Sequence, residues 1–340
     1  IETKTINGLA TLSDGSHNFY RIKDGRGNYD YLYQNGTSPD FEQFLMTNYA
    51  DTFVGSNNND TVNGYSGNDT IWAMSGNDSI YGDAGDDTIF GVSGNNRLEG
   101  GAGNDYLDGE SGNNTVSYAY STSSVEVDFQ IGLGYVSASD KDTLVNIQNA
   151  IGGSSGDIFK MATGDIANTI DGNSSNGNLV SYEYYTAGVT VDLGRTDSQT
   201  VVIGSSDIDT LINIQNIKGG KGNDTFRTNF AVSNQFDGNS GNNTMDYSNA
   251  NASQKIVVTL DGANFKDVII GSGAVVDRVK NIQNVYGGAG DDTIIGDGNS
   301  NTIINVVASN VSDPSGTTIS GIGFVMTQNN ASKANDNGYG

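Results

Sequence analysis

Residues 64–72 read GYSGNDTIW and residues 82–90 read GDAGDDTIF. They are two of eight consecutive nine-residue units that run from Met46 to Ser117 without an insertion. The sixth position of the unit reads Asp51, Asp60, Asp69, Asp78, Asp87, Asn96, Asp105, Asn114, and the eighth reads Phe53, Val62, Ile71, Ile80, Ile89, Leu98, Leu107, Val116. Two columns kept in phase over this length mark a repeat architecture, in which each short unit buries its apolar side only by stacking on its neighbours. The first six residues, rich in Gly, Asn and Ser, form a turn that needs left-handed or closely approached backbone. The last three form a short strand whose central aliphatic residue points inward.

Two units make one coil with two strands and two turns, and successive coils stack at about 4.8 Å in two parallel sheets. The expected fold class is therefore all-β, a parallel β-roll or β-helix solenoid. Turns alternate sides, so residues eighteen apart lie one above another, and their carboxylates and backbone carbonyls converge between neighbouring turns. Cages made of oxygen alone suit calcium. One side stacks Asp51, Asp69, Asp87 and Asp105; the other stacks Asp60, Asp78, Asn96 and Asn114. Asn keeps a carbonyl ligand and loses the charge, so the second side is expected to lose calcium toward its C-terminal end, where an Asn ladder replaces the ion.

Residues 100–108, GGAGNDYLD, satisfy the pattern G-G-x-G-x-D-x-U-x at every specified place. The chain thus resembles the RTX, or repeats-in-toxin, family, strongly over residues 46–117 and intermittently over 150–304. The resemblance implies several bound calcium ions, export by a type I secretion system and folding triggered outside the cell. Family members with protease, lipase or pore-forming activity carry it on separate domains, none of which is recognisable here.

After Ser117 a unit of 64 to 68 residues appears three times. VEVDF (125–129), VTVDL (189–193) and IVVTL (256–260) correspond, followed by DTLVNIQNAIGG (142–153), DTLINIQNIKGG (209–220) and DRVKNIQNVYGG (277–288). Each ends in one good nonapeptide, carrying Asp157, Asp224 or Asp292 as a further candidate calcium ligand whose partner turn is degenerate. The intervening residues are expected to be β-hairpins or wider coils inserted into a continuous solenoid and emerging on one face. The recurring NIQN segments read as turn-capping amides. Tyr118, Tyr120, Tyr182, Tyr184, Tyr185 and Tyr247 recur just after strands and serve either as packing or as a stacking platform for sugar rings.

The domain plan is a cap over 1–45, the calcium roll over 46–117, three long repeats over 118–304, and a C-terminal strand segment with a tail over 305–340. PDFEQFLM (39–46) has the makings of a short helix, residues 305–326 alternate as strands do, and the tail from Gln328 reads as disordered. Uncharged SGTTISGIGFVM (315–326) would offer an exposed edge to neighbouring subunits.

Composition limits the function. Forty acidic residues stand against sixteen Lys and Arg, for a formal charge of -24. That charge opposes compaction unless cations neutralise it and, with no basic cluster, argues against nucleic acid. Cysteine is absent, so disulfides and thiolate metal sites are excluded. No apolar run approaches the roughly 18–20 residues of a membrane span, and Ile1–Leu12 shows no uncleaved Sec-type signal. His17 is the one histidine, which removes HExxH zinc sites and Ser-His-Asp triads. The reading is a non-enzymatic, calcium-binding structural protein, secreted or attached to the cell surface: a surface-layer subunit, adhesin segment or filament that self-associates. A glycan-binding module is the alternative, and a β-helix polysaccharide lyase or epimerase a more distant one.

Overall fold

The computed structural model describes residue 46 and residues 48–304, apart from residues 56, 165–166, 175, 195–200, 203–207 and 298–300, of which at most the strand backbone is described. Toward either end it describes the backbones of further strands. All regular structure among these residues is β-strand, and no helix is long and apolar enough to cross a membrane. The chain divides into two compact units, residues 1–160 with 167–178, and residues 161–166 with 179–340.

In the first unit the nonapeptide strands alternate between two parallel sheets. One holds Thr52–Val54, Thr70–Trp72, Thr88–Phe90 and Tyr106–Asp108, with Ile71 opposite Ile89 and Ile89 opposite Leu107. The other holds Asn59–Asn63, Ser79–Ala84, Arg97–Ala102 and Thr115–Ser117, with Val62 opposite Ile80, Ile80 opposite Leu98 and Leu98 opposite Val116. The register is eighteen residues throughout, as two units per coil require. All eight residues of the aliphatic column are buried, seven of them completely. The core is thus one side chain wide per strand, which is why this column admits only Val, Ile, Leu and Phe. The parallel β-roll is the fold the period dictates.

The segment read as a helix is instead a strand, Phe41–Leu45, parallel to Asn59–Asn63 with Phe44 opposite Val62. It lies eighteen residues ahead of its partner and so extends the coil register by one rung, which outweighs its local helix propensity. Before it, Glu2–Ile6, Leu9–Ser13, Asn18–Lys23 and Tyr29–Tyr33 form a separate four-stranded antiparallel sheet. At the other end Phe324–Gln328 pairs antiparallel with Asn301–Asn305, and Val311–Ser312 with Thr318–Ile319. The expected disorder after Gln328 lies outside the described residues.

The long repeats are solved by a meander. Glu126–Asp128 pairs parallel with Ile158–Lys160 and antiparallel with Leu133–Ser137. That strand turns back into Asp140–Val145, which lies parallel on Tyr106–Asp108. The chain therefore overshoots, walks back through the same sheet, and resumes coiling at Asn149–Ile151, parallel to Thr115–Ser117. In the second unit Val189–Asp192, Gln199–Ile203 and Asp207–Ile212 repeat this plan in one sheet, and Ile256–Thr259, Lys266–Ile270 and Val275–Lys280 repeat it in the other. The expectation of a single insertion face fails there: the extra strands are absorbed into the sheets, and into both of them.

Candidate metal centre

The turns begin with two left-handed residues. The second position of the nonapeptide has positive φ at Tyr65, Met74, Asp83, Val92, Gly101 and Glu110, and the fourth has it at Gly67, Gly76, Gly85, Gly94, Gly103 and Gly112. This winding aims the fifth and sixth side chains along the stack. At the fifth position the backbone N–H of each rung donates to the amide or carboxylate oxygen one coil earlier: Asn77 to Asn59, Asp86 to Asn68, Asn95 to Asn77, Asn104 to Asp86 and Asn113 to Asn95, at 2.7–3.1 Å. At the sixth position the ladder runs the opposite way. The N–H groups of Asp51, Asp69 and Asp87 donate to Oδ1 of Asp69, Asp87 and Asp105, and those of Asp60, Asp78 and Asn96 donate to Oδ1 of Asp78, Asn96 and Asn114.

The second oxygen of the inner carboxylates is what remains. Oδ2 of Asp69, Asp78, Asp87 and Asp105 is buried and accepts no hydrogen bond. A Cβ placed on Gly64 would lie 2.6 Å from Asp69 Oδ2 and 2.6 Å from the carbonyl oxygen of Gly82, so two oxygens face one cradle with no donor between them. Burial pushes Asp69 up to about 7, aided by the charges of Asp87, Asp51 and Asp83 and opposed by the Asp51 N–H. Asp78 is likewise pushed to about 7 and Asp87 to about 6 by burial. Such atoms call for a hard cation, since a carboxylate buried without a partner is costly and an ion surrounded by oxygen removes the cost. Among the described residues no three acidic or His side chains converge on one point, so backbone carbonyls must complete any ligand set. Calcium, which accepts mixed carboxylate and carbonyl ligands, fits these turns.

Asn96 and Asn114 occupy the same places with the opposite chemistry. Asn96 Nδ2 donates to the Gly91 carbonyl at 3.1 Å, and Asn114 Nδ2 to the Gly109 carbonyl at 2.9 Å. An amide hydrogen thus stands where the Asp turns have only oxygen.

Of the six nonapeptide aspartates predicted as ligands, Asp51, Asp69, Asp87 and Asp105 share one stack and Asp60 and Asp78 the other. Asp157, Asp224 and Asp292 are built differently. In each, Oδ1 accepts a backbone N–H, from Val125, Val189 or Ile256, and Oδ2 accepts a glycine N–H, from Gly153, Gly220 or Gly288. Both oxygens are satisfied at 2.8–2.9 Å.

One residue escaped the sequence reading. Asp142 Oδ1 accepts the Asp105 N–H at 3.0 Å, so it continues the first stack by one rung although it lies 37 residues on. Its Oδ2 accepts the buried Tyr118 hydroxyl at 2.8 Å. Burial raises both Asp105 and Asp142; the charge of Asp142 adds to the rise at Asp105, and that of Asp140 to the rise at Asp142. The later repeats renew this pair: the Tyr182 hydroxyl donates to Asp209 Oδ2 at 3.0 Å, and the Tyr247 hydroxyl lies 3.5 Å from Asp277 Oδ2. The recurrence of Tyr118, Tyr182 and Tyr247 is therefore a packing device, all three being buried, as is Tyr185, whereas Tyr120 is partly exposed. NIQN is a compact turn. Asn146, Asn213 and Asn281 take the left-handed backbone, Ile147, Ile214 and Ile282 are buried, and Gln148 and Gln283 accept the N–H groups of Asn114 and Asn243.

Fold and turns together define a calcium-binding repeat protein of parallel β-roll type. The repeats are those of the RTX family: the model of the RTX calcium-binding nonapeptide repeat matches in four copies, within residues 47–80, 81–116 and 283–304. No curated protein is similar enough to the chain to match it.

Proposed function

We propose that this chain is a secreted structural protein of the cell surface or extracellular matrix, without catalytic activity, whose nonapeptide turns are made rigid by calcium held at Asp51, Asp60, Asp69, Asp78, Asp87 and Asp105. The observation that carries the reading is the row of buried Oδ2 atoms without a hydrogen-bond partner at Asp69, Asp78, Asp87 and Asp105. Where calcium is scarce these carboxylates repel one another and oppose coiling. In millimolar external calcium the ion bridges adjacent turns, and at about 100 times its dissociation constant each site contributes roughly 2.7 kcal/mol to the folded state. That gating suits export of an unfolded chain followed by folding outside the cell.

Self-association is part of the proposal. A roll has open sheet edges at its ends, and unpaired edges recruit further strands. Light scattering of the intact chain is expected to rise on adding millimolar calcium and fall again on chelation; a monomeric mass at every protein concentration in calcium would contradict assembly. The glycan-binding alternative has one supporting feature, an outward row of Trp72, Phe90 and Tyr106. Trp72 and Phe90 stack on each other at 5.5 Å and 10°, which spends on each other the faces a sugar ring would need.

A further inference from the structure

The repeats of this chain differ in what stands at the point a cation would occupy. In the turns of Asp69, Asp78, Asp87 and Asp105 it is a buried carboxylate oxygen with no donor. In those of Asn96 and Asn114 it is an amide hydrogen already bonded to a glycine carbonyl. The second unit continues the amide version. Asn243 Nδ2 reaches the carbonyls of Gly238 at 2.8 Å and Asn281 at 3.0 Å, Asn234 Nδ2 that of Gln215 at 3.1 Å, and Asn301 Nδ2 that of Gln283 at 3.1 Å. Its two nonapeptide aspartates, Asp224 and Asp292, have both oxygens filled by backbone N–H groups, as Asp157 does in the first unit. An N–H pointing at a carboxylate puts positive charge where an ion would sit, so the two compete for the same lone pairs.

Charge gives an independent argument. Between Met46 and Asp140 fourteen acidic residues face a single basic one, Arg97; between residues 179 and 304 fourteen face eight. Five of those eight form ion pairs among the described residues: Arg227 with Asp246 at 2.9 Å, Lys280 with Asp237 at 3.0 Å, Lys266 with Asp261 at 2.7 Å, Arg278 with Asp267 at 3.5 Å, and Lys218 with Glu183. The first stretch needs external cations, and the second carries its own.

We propose that calcium is confined to the Asp turns of the eight-unit run, and that amide and backbone donors replace the ion at Asn96, at Asn114 and, among the described residues of 179–304, at Asp224, Asn234, Asn243, Asp292 and Asn301, the last two in the repeat matched at 283–304. The second unit then folds without metal, and calcium gates the first roll alone. This rests on the calcium reading above and narrows where it applies. Asn96 and Asn114 act as specificity residues that decide which turns are metal turns and which are not.

The test counts ions and maps protection on the full chain. Calcium stoichiometry is measured by titration calorimetry for the wild type, for Asn96→Asp with Asn114→Asp, and for Asp224→Asn with Asp292→Asn, while hydrogen exchange is followed in chelator and in calcium. The first pair of substitutions is expected to raise the stoichiometry by at least one and to lower the unfolding temperature in chelator. The second pair is expected to leave the stoichiometry unchanged. In chelator the strands of residues 179–304 stay protected while those of residues 52–108 exchange. Loss of an ion in the Asp224→Asn, Asp292→Asn chain, or protection of residues 179–304 only when calcium is present, overturns the confinement and leaves the proposed function standing. A wild type that takes up no calcium contradicts that function itself.

Discussion

At Asp87 one oxygen belongs to the fold and the other to the ion. Oδ1 accepts the Asp69 N–H at 2.7 Å, whereas Oδ2 accepts none. Substituting Asn should therefore preserve the ladder, supply an Nδ2 donor for the nearby Gly82 carbonyl as Asn96 does for Gly91, and remove a charged ligand. The Asp87→Asn protein is expected to bind fewer calcium ions by calorimetry and, in chelator, to resist urea better by about 1 kcal/mol. Equal stability of the two chelated proteins would argue against the orphaned oxygen. Asp277, outside the nonapeptide run, allows a separate check. Burial pushes it up to about 6, against hydrogen bonds from Thr228, Asn234 and Tyr247. An acid raised in the folded state binds its proton more tightly there than in the unfolded chain. Its contribution to stability is therefore retained below about pH 4 and lost as pH rises toward 6, amounting to about 3 kcal/mol at most. Urea midpoints in chelator between pH 4 and 6.5 should fall less steeply for Asp277→Asn than for the wild type, and parallel curves would show that Asp277 does not titrate in this range.

At the scale of the single coil, the left-handed fourth position governs stacking. Gly85 has φ +144, and an added Cβ would run into the Gly67 carbonyl of the coil beneath. That carbonyl is fixed by the stack and cannot step aside, so Gly85→Ala is expected to cost several kcal/mol in the calcium-bound protein, beyond the usual 1–2 kcal/mol for a left-handed non-glycine residue. A melting temperature within a degree of the wild type would contradict this turn geometry. The columns at positions six and eight were legible in the sequence because the period of nine runs from Met46 to Ser117 without a slip, and their placement followed from it. The Asn at position five is equally periodic, but an exposed amide has no hydrophobic signature to betray a ladder. Asp142 was hidden for a different reason. The meander of Leu133–Ser137 and Asp140–Val145 separates it from Asp105 by 37 residues, so no fixed spacing points to it. The sequence sets Asp224 apart from Asp87 by its degenerate partner turn, but it does not show the Gly220 N–H that reaches the second oxygen of Asp224.

For the molecule as a whole, stability in a stacked repeat is close to a sum of coil terms and neighbour terms. Calcium in one run of coils therefore stabilises that run and its flanks more than distant ones. The imbalance of acidic residues over Met46–Asp140 sets the direction of the response, because self-repulsion holds the chelated roll open and bound cations close it. Far-UV circular dichroism of the chelated full chain, followed while calcium is added and again with magnesium at the same concentrations, tests the central claim most directly. An added β-signal is expected that saturates with calcium and does not appear with magnesium, whose octahedral preference and tightly held waters suit these turns poorly. A spectrum that is the same in chelator and in millimolar calcium would contradict that claim.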